Sequence, residues 1–172
     1  MTTDQIVKKL ESKPADKTLF ILLVIGLILI LVSYLLFRPN FAVLAPSGYS
    51  IVDQQTVFTY ERNEMVLSAW KAIPGGIKAS LMCAMIDLFL FMPAYVLLGL
   101  SWGLLVARHA REKASGIGMI CALCILPAWA FDIVETGIQT IISLNVDSYS
   151  PGLVPVMSTA AVAKFIFFYT CL

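Results

Sequence analysis

The stretch LFILLVIGLILILVSYLLF, residues 19–37, indicates the class of this protein. It carries no charged residue, and Ser33 and Tyr34 are its main polar groups. An α-helix of this length is roughly 28 Å long, enough to cross a hydrocarbon core of about 30 Å. The run is longer than the apolar region of a signal peptide, which usually has about 7–15 residues. We therefore expect an uncleaved first span that ends at Arg38-Pro39.

Three more apolar runs follow, at residues 80–107, 115–144 and 153–172. The 172-residue chain is 59% hydrophobic and 13% charged, against about 25% charged residues in soluble domains. The sequence therefore predicts an all-α protein, a four-helix transmembrane bundle that forms a single integral membrane domain. The third run is roughly 45 Å long if it is wholly helical, so we expect it to tilt, to kink near Pro127 or to emerge as helix on the far side.

Residues 38–79 form the only extended hydrophilic region. Within it, residues 59–73 have a helical pattern in which Tyr60, Leu67, Trp70 and Ile73 share an apolar face. This pattern predicts either an amphipathic helix on the membrane surface, with Trp70 at the level of the headgroups, or a helix packed on the ends of the spans. A loop of this length is long enough to be functional rather than a mere connector.

Lysine and arginine residues predict the orientation of the chain. The N-terminal segment and the turn 108–113 hold seven basic residues, whereas the loop 38–79 holds four. The positive-inside rule then places both termini in the cytoplasm and the loop in the periplasm, for a protein of a bacterial inner membrane. The net charge of +1 implies no nucleic-acid partner. The expected partner is the lipid bilayer, with a homodimer or another membrane protein as further candidates.

Four ionisable residues fall within the predicted spans: Asp87, Asp132, Glu135 and Lys164. Charged groups are costly inside a bilayer, so such residues usually face protein or water and pair with one another. Measured from the outer ends of their helices, the four lie roughly 10 to 18 Å deep at 1.5 Å per residue. We expect three spans to bring them into one polar cluster in the outer half of the membrane.

Three further arguments concern this cluster. Asp132, Glu135 and Gln139 share one face of a helix because they are three and four residues apart. Tyr95 lies eight residues after Asp87, on a similar face, and could donate a hydrogen bond. Lys164 is the only intramembrane cation, so with all groups ionised the cluster would have a net charge of −2. We therefore predict that at least one carboxylate is protonated near neutral pH.

The remaining motifs assign no chemistry. Cys121-x-x-Cys124 lies inside a span without a neighbouring histidine, and we interpret both cysteines as packing residues. Gly99-x-x-x-Gly103 is a small-residue motif that allows close helix approach. The sequence contains no phosphate loop, zinc-protease motif or serine nucleophile elbow. We assign no catalytic residue, no cofactor and no metal ligand, and we expect no disulfide.

Several short motifs resemble those of small four-span bacterial membrane proteins of uncharacterised function. They are Asp87-Leu88-Phe89-Leu90-Phe91 with Ala94-Tyr95, Asp132-Ile133-Val134-Glu135, and Ala163-Lys164-Phe165. The resemblance covers nearly the whole chain. It implies the four-span architecture and a bacterial origin, and it implies no activity. In those proteins the third-span motif often reads Asp-x-x-Glu-Asn, whereas Thr136 occupies the Asn position here.

Three hypotheses of function follow from the cluster. The first is a non-enzymatic membrane protein whose polar core organises the bundle and binds a partner or a small ligand. The second is ion- or proton-coupled transport through the intramembrane carboxylates, for which four spans favour a homodimer. The third is a small intramembrane acid–base enzyme of isomerase type, since emopamil-binding-type sterol isomerases also carry buried acids in a membrane bundle.

Overall fold

The computed structural model describes residues 14–170, and all regular elements in this part of the chain are helical. The helices are α1 (Asp16–Leu44), α2 (Ile51–Gln55), α3 (Tyr60–Lys71), α4 (Gly76–Ile86), α5 (Met92–His109), α6 (Glu112–Leu144) and α7 (Leu153–Thr170). A 3₁₀ turn, Ala45–Ser47, extends α1, and a π-helical turn, Asp87–Phe91, joins α4 to α5. The predicted basic segment before Pro14 and the last two residues of the predicted fourth span lie outside the described residues.

Within residues 14–170, four helices are long and apolar enough to cross a membrane, as the sequence predicts. They are the first span (Asp16–Ser47), the second span (Gly76–His109), the third span (Lys113–Leu144) and the fourth span (Leu153–Thr170). The spans pack in chain order, the first on the second, the second on the third and the third on the fourth. The first and fourth spans therefore stand at the two ends of the series.

An ionic contact places the start of the first span beside the end of the second. Arg108 donates to the Pro14 carbonyl at 2.7 Å and to Asp16 Oδ1 at 2.6 Å, and His109 Nε2 lies 2.8 Å from Asp16 Oδ2. The N-terminal end of the described chain and the turn that follows the second span are thus at the same end of the molecule.

Small residues allow the spans to approach closely. A Cβ atom on Gly26 would lie 2.9 Å from the Ala94 carbonyl oxygen, and one on Gly103 would lie 2.7 Å from the Ala122 nitrogen. A Cβ atom on Gly99 would lie 2.8 Å from Cγ1 of Ile125. The two glycines of the Gly99-x-x-x-Gly103 motif therefore pack the second span against the third within one chain.

The first helix does not end at Arg38-Pro39, where the sequence predicts its end. It continues through Pro39 to Leu44, and the chain turns only at Gly48, whose φ of +76° is left-handed. Proline removes one backbone donor, but helices of this apolar kind tolerate it when nearby groups satisfy the freed carbonyls. The carbonyl that Pro39 leaves without its helical partner is that of Leu35, and in the adjacent position the Asn40 side chain donates to the Leu36 carbonyl at 2.9 Å. The hydrophilic connection is therefore shorter than the predicted loop 38–79.

Helix α3 packs on the ends of the spans. Its residues Leu67 and Trp70 are fully buried and contact Leu44 of the first span and Met157 of the fourth in one apolar core. Of the two predicted positions for this helix, the structure has the packed one, and Trp70 is not at an exposed headgroup position. The connection is therefore an integral part of the fold.

The second span contains a widened turn that the sequence analysis did not predict. The Met92 N–H bonds to the Asp87 carbonyl, five residues back, instead of four. Pro93 follows at once and has no N–H to offer the Phe89 carbonyl, which explains why the regular pattern breaks here. Single π-helical turns are common at functional sites, and this one begins at Asp87.

The third span is one continuous helix of 33 residues, Glu112–Leu144, with Pro127 inside it. The helix therefore runs unbroken through Pro127 to Leu144. Its buried face carries Asp132, Glu135, Thr136 and Gln139 in succession. This face provides the floor of the site described below.

Candidate functional site

A buried ion-pair triad joins the third and fourth spans. The Nζ atom of Lys164 lies 2.9 Å from Oδ1 of Asp132 and also contacts Oε2 of Glu135. The three side chains are 11%, 3% and 0% exposed. Asp132 and Glu135 reach the same ammonium because they are three residues apart on one helix face.

Tyr95 connects the second span to this triad. Its hydroxyl donates to Oδ2 of Asp132 at 2.8 Å, so both oxygens of that carboxylate have a partner. The Lys164 ammonium also lies 4.8 Å from the centroid of the Phe165 ring, within the range of a cation–π contact. Three spans thus meet at one charged centre.

Asp87 stands beside the triad and has a different environment. Its Oδ2 accepts a hydrogen bond of 3.0 Å from Oγ1 of Thr136. No basic side chain in residues 14–170 lies within 4 Å of its carboxylate. Thr136 therefore joins the third span to Asp87 of the second through a polar contact.

Gln139 bonds to the loop rather than to the acids. Its Nε2 donates to Oε1 of Gln54, on helix α2, at 3.0 Å. The neighbouring Gln55 is also buried, and it lines the same cavity as Gln139 and Asp87. Neither glutamine of α2 was predicted as a site residue. The pattern of a five-residue helix does not indicate a contact with a residue as distant in sequence as Gln139, 85 positions from Gln54.

The charged centre lies at the bottom of a cleft between the first and fourth spans. The cavity has a volume of about 360 Å³, which is within the usual range for small-molecule sites. The second and third spans form its floor, and Ile51, Val52 and Gln55 of α2 cover its loop end. Its walls are rich in aromatic side chains, namely Phe37, Phe41, Phe91, Tyr95, Phe165, Phe168 and Tyr169.

The rim and the floor of the cleft differ in polarity. Phe41 of the first span and Tyr169 of the fourth line opposite walls and are 44% and 69% exposed. The cleft therefore opens on the exposed side surface of the helix bundle. Its floor carries Asp87, Asp132 and Lys164. This arrangement suits a molecule with an apolar body and one polar group, because the body would replace lipid contacts and the polar group would reach the charges.

The predicted site residues are thus placed as follows. The structure brings Tyr95, Asp132, Glu135 and Lys164 into direct contact, and it places Asp87 and Gln139 on the same cleft. Within residues 14–170 no group of three His, Cys, Asp or Glu side chains could hold a metal ion. Cys83 lines the cleft and is not disulfide-bonded.

No family model, no curated protein and no solved structure matches this chain.

Proposed function

We propose that this chain is an integral membrane protein that binds an amphipathic small molecule in the cleft between its first and fourth spans. The observation that carries the proposal is the cleft itself, with aromatic walls, an opening on the outer face and charged groups at its floor. The ion-pair triad fixes the third and fourth spans in register and so keeps the floor in place. The polar core would then have both a structural role and a ligand-binding role.

We further propose a bacterial inner membrane with both termini in the cytoplasm. The excess of basic residues in the N-terminal segment and the turn after the second span supports this orientation. The four apolar helices of membrane-spanning length support a membrane location. Asp147→Cys and Lys113→Cys variants test the orientation in intact cells with a membrane-impermeant maleimide. We expect labelling at position 147 only, and labelling at position 113 only would overturn the orientation.

Photolabelling in lipid nanodiscs tests the binding function. Three long-chain alkyl probes carry a diazirine on the chain and differ only in the polar group, which is an amine, an alcohol or a carboxylic acid. We expect at least one of them to label peptides that contain Phe37, Phe165 or Phe168, and excess unlabelled compound should compete for this labelling. Phe20 and Phe89, which are 61% and 68% exposed, report contact with ordinary lipid.

A pair of matched variants locates the binding. Ala84 is 3% exposed and lines the cleft, so Ala84→Phe should fill the cavity and abolish competable labelling. Ala130 lies on an exposed face of the third span, and Ala130→Phe should leave the labelling unchanged. The wild type alone can overturn the proposal, whether or not the Ala84 variant folds. It does so if the probes label all exposed aromatic residues equally and if no unlabelled compound competes for this labelling.

A second candidate function is ion- or proton-coupled transport through the same carboxylates. The observation in its favour is the excess of acids around the floor, where Asp132 and Glu135 contact one lysine and Asp87 stands beside them. Proton flux into vesicles that contain the purified protein tests it. An absence of flux on either side of neutral pH would count against transport.

A further inference from the structure

We propose that the molecule bound in the cleft is a cationic amphiphile, an alkylammonium compound whose charged group lies against Asp87. This inference rests on the proposed function and names the chemical class of its ligand. Three independent features of the cleft support it: the balance of charge, an amide without a partner and the aromatic walls.

The charges at the floor favour a cation. Lys164 is already matched by two carboxylates, Asp132 at 2.9 Å and Glu135 in direct contact, so the triad has no positive charge left over. Asp87 adds a further acid, and its hydrogen-bond partner, Thr136, is neutral. A cationic group beside Asp87 would pair with its carboxylate in an environment of low dielectric constant, whereas an anionic group would find no such partner there.

The Gln55 side chain indicates that a ligand supplies a polar group. Gln55 is only 5% exposed and lines the cleft, yet its amide makes no hydrogen bond with any residue in the described range 14–170. An amide that lines a cavity and bonds to no neighbouring residue is free to bond to a ligand or to a water. An ammonium group carries N–H donors that an amide oxygen and a carboxylate can accept. Gln55 and Asp87 line one cavity and provide these two acceptors.

The aromatic walls suit both parts of such a ligand. Rings attract cations to their faces and also contribute large apolar contact areas. Phe91 and Phe168 pack edge-on around Tyr95, with ring centroids 5.6 and 5.7 Å from it, and all three line the cleft. One cation, Lys164, already lies over an aromatic ring here, that of Phe165.

Competition between headgroups tests the inference. The protein in nanodiscs of zwitterionic lipid is labelled with the diazirine probe that reacts in the cleft. An unlabelled alkyl amine, alcohol or carboxylic acid of equal chain length is then added, and the concentration at which each one reduces the labelling is measured. We expect the amine to compete at concentrations at least tenfold lower than the other two. Competition by the alcohol or the acid that equals or exceeds that of the amine would overturn the inference and leave the proposed function standing. If no compound competes, both fail.

Two carboxylate variants show which acid selects the cation. Asp87→Asn keeps the shape of the side chain and removes its charge, so the amine should lose its tenfold advantage. Asp147, whose side chain is 86% exposed on the loop before the fourth span, provides the control, and Asp147→Asn should keep the advantage. An Asp87→Asn protein that binds the amine as the wild type does would contradict the assignment. If that variant does not fold, competition on the wild type decides.

Discussion

Lys164 Nζ lies 2.9 Å from Oδ1 of Asp132, and this contact joins the third and fourth spans through two side chains that are almost completely removed from solvent. Removal of one partner from a buried ion pair leaves an uncompensated charge. Such a change typically costs about 3–5 kcal/mol. The pair is therefore a fixed point of the bundle, and its loss should be easy to measure.

The first prediction concerns this pair. Lys164→Met should lower the free energy of unfolding by about 3 kcal/mol or more, since Asp132 and Glu135 would remain buried without their cation. The triple variant with Asp132→Asn and Glu135→Gln should recover part of that loss. Unfolding of the purified protein in mixed micelles of increasing sodium dodecyl sulfate content measures the change.

A surface pair provides the control for this prediction. Lys71 Nζ lies 2.6 Å from Asp147, but the two side chains are 35% and 86% exposed. Exposed pairs contribute about 0–1 kcal/mol, so Lys71→Met should have little effect. Equal losses for Lys164→Met and Lys71→Met would mean that the triad does not stabilise the bundle.

The second prediction concerns the contact between the second and third spans. A Cβ atom on Gly118 would lie 2.6 Å from the backbone nitrogen of Ala107, and backbone cannot move aside as a flexible side chain can. Gly118→Ala should therefore destabilise the protein by about 1–3 kcal/mol. A Cβ atom on Gly116, two residues earlier on the same helix, meets nothing within 4 Å. Thermal unfolding in detergent should show that Gly116→Ala is at least as stable as the wild type. A Gly116→Ala protein that is less stable than Gly118→Ala would refute the close packing of the second span on the third at Gly118.

Part of the charged site could be predicted from the sequence alone. Asp132 and Glu135 are three residues apart on a helix, and Lys164 is the only cation in the four apolar runs, so helix periodicity and the cost of buried charge together predict their association. Tyr95 could be predicted for a similar reason, since its spacing from Asp87 keeps both on one side of the second span. These contacts depend on short-range geometry and on the scarcity of charge.

The remaining features depend on tertiary packing. Phe41 lines the cleft because α1 continues past Arg38-Pro39, and no local rule distinguishes a proline that ends a helix from one that a helix accommodates. The contact of Gln54 with Gln139 joins residues 85 positions apart. The π-helical turn at Asp87 depends on Pro93 and on how the second span packs, so periodicity could not predict it.

The third prediction concerns the loop core beneath α3. The Tyr149 hydroxyl accepts from Asn63 Nδ2 at 2.8 Å and donates to Glu64 Oε1 at 2.6 Å. Burial and the hydrogen bond to Glu64 raise the pKa of Tyr149, which therefore stays a neutral donor. Tyr149→Phe should cost about 1–3 kcal/mol, because the fully buried Asn63 amide would lose its partner.

Tyr60 supplies the matched control. Its ring packs against that of Tyr149 with centroids 5.3 Å apart, but its hydroxyl makes no hydrogen bond within the described residues. Tyr60→Phe should leave the melting temperature in detergent unchanged. If the Tyr149→Phe protein has the same melting temperature as the Tyr60→Phe protein, the buried hydrogen-bond network contributes nothing to stability.

The fourth prediction concerns the cover of the cleft at low pH. Helix α2, which carries Gln54 and Gln55, begins with a capping box in which Asp53 accepts from the Ser50 N–H and hydroxyl, both at 2.6 Å. The hydrogen bonds from the Ser50 side chain and backbone lower the pKa of Asp53. A lowered pKa in the folded state means that this cap stabilises α2 fully above the ordinary aspartate value of about 3.9 and that the stabilisation is lost as the pH falls through the lower folded value.

Hydrogen exchange of the α2 amides measures this loss. Protection of residues 51–55, corrected for the intrinsic pH dependence of exchange, should be constant from neutral pH to about pH 5 and should fall below about pH 4. In Asp53→Asn the charge is absent at every pH, so protection should be lower at neutral pH and should not fall further in acid. An acid-dependent loss of equal size in the variant would show that another group controls the cover of the cleft.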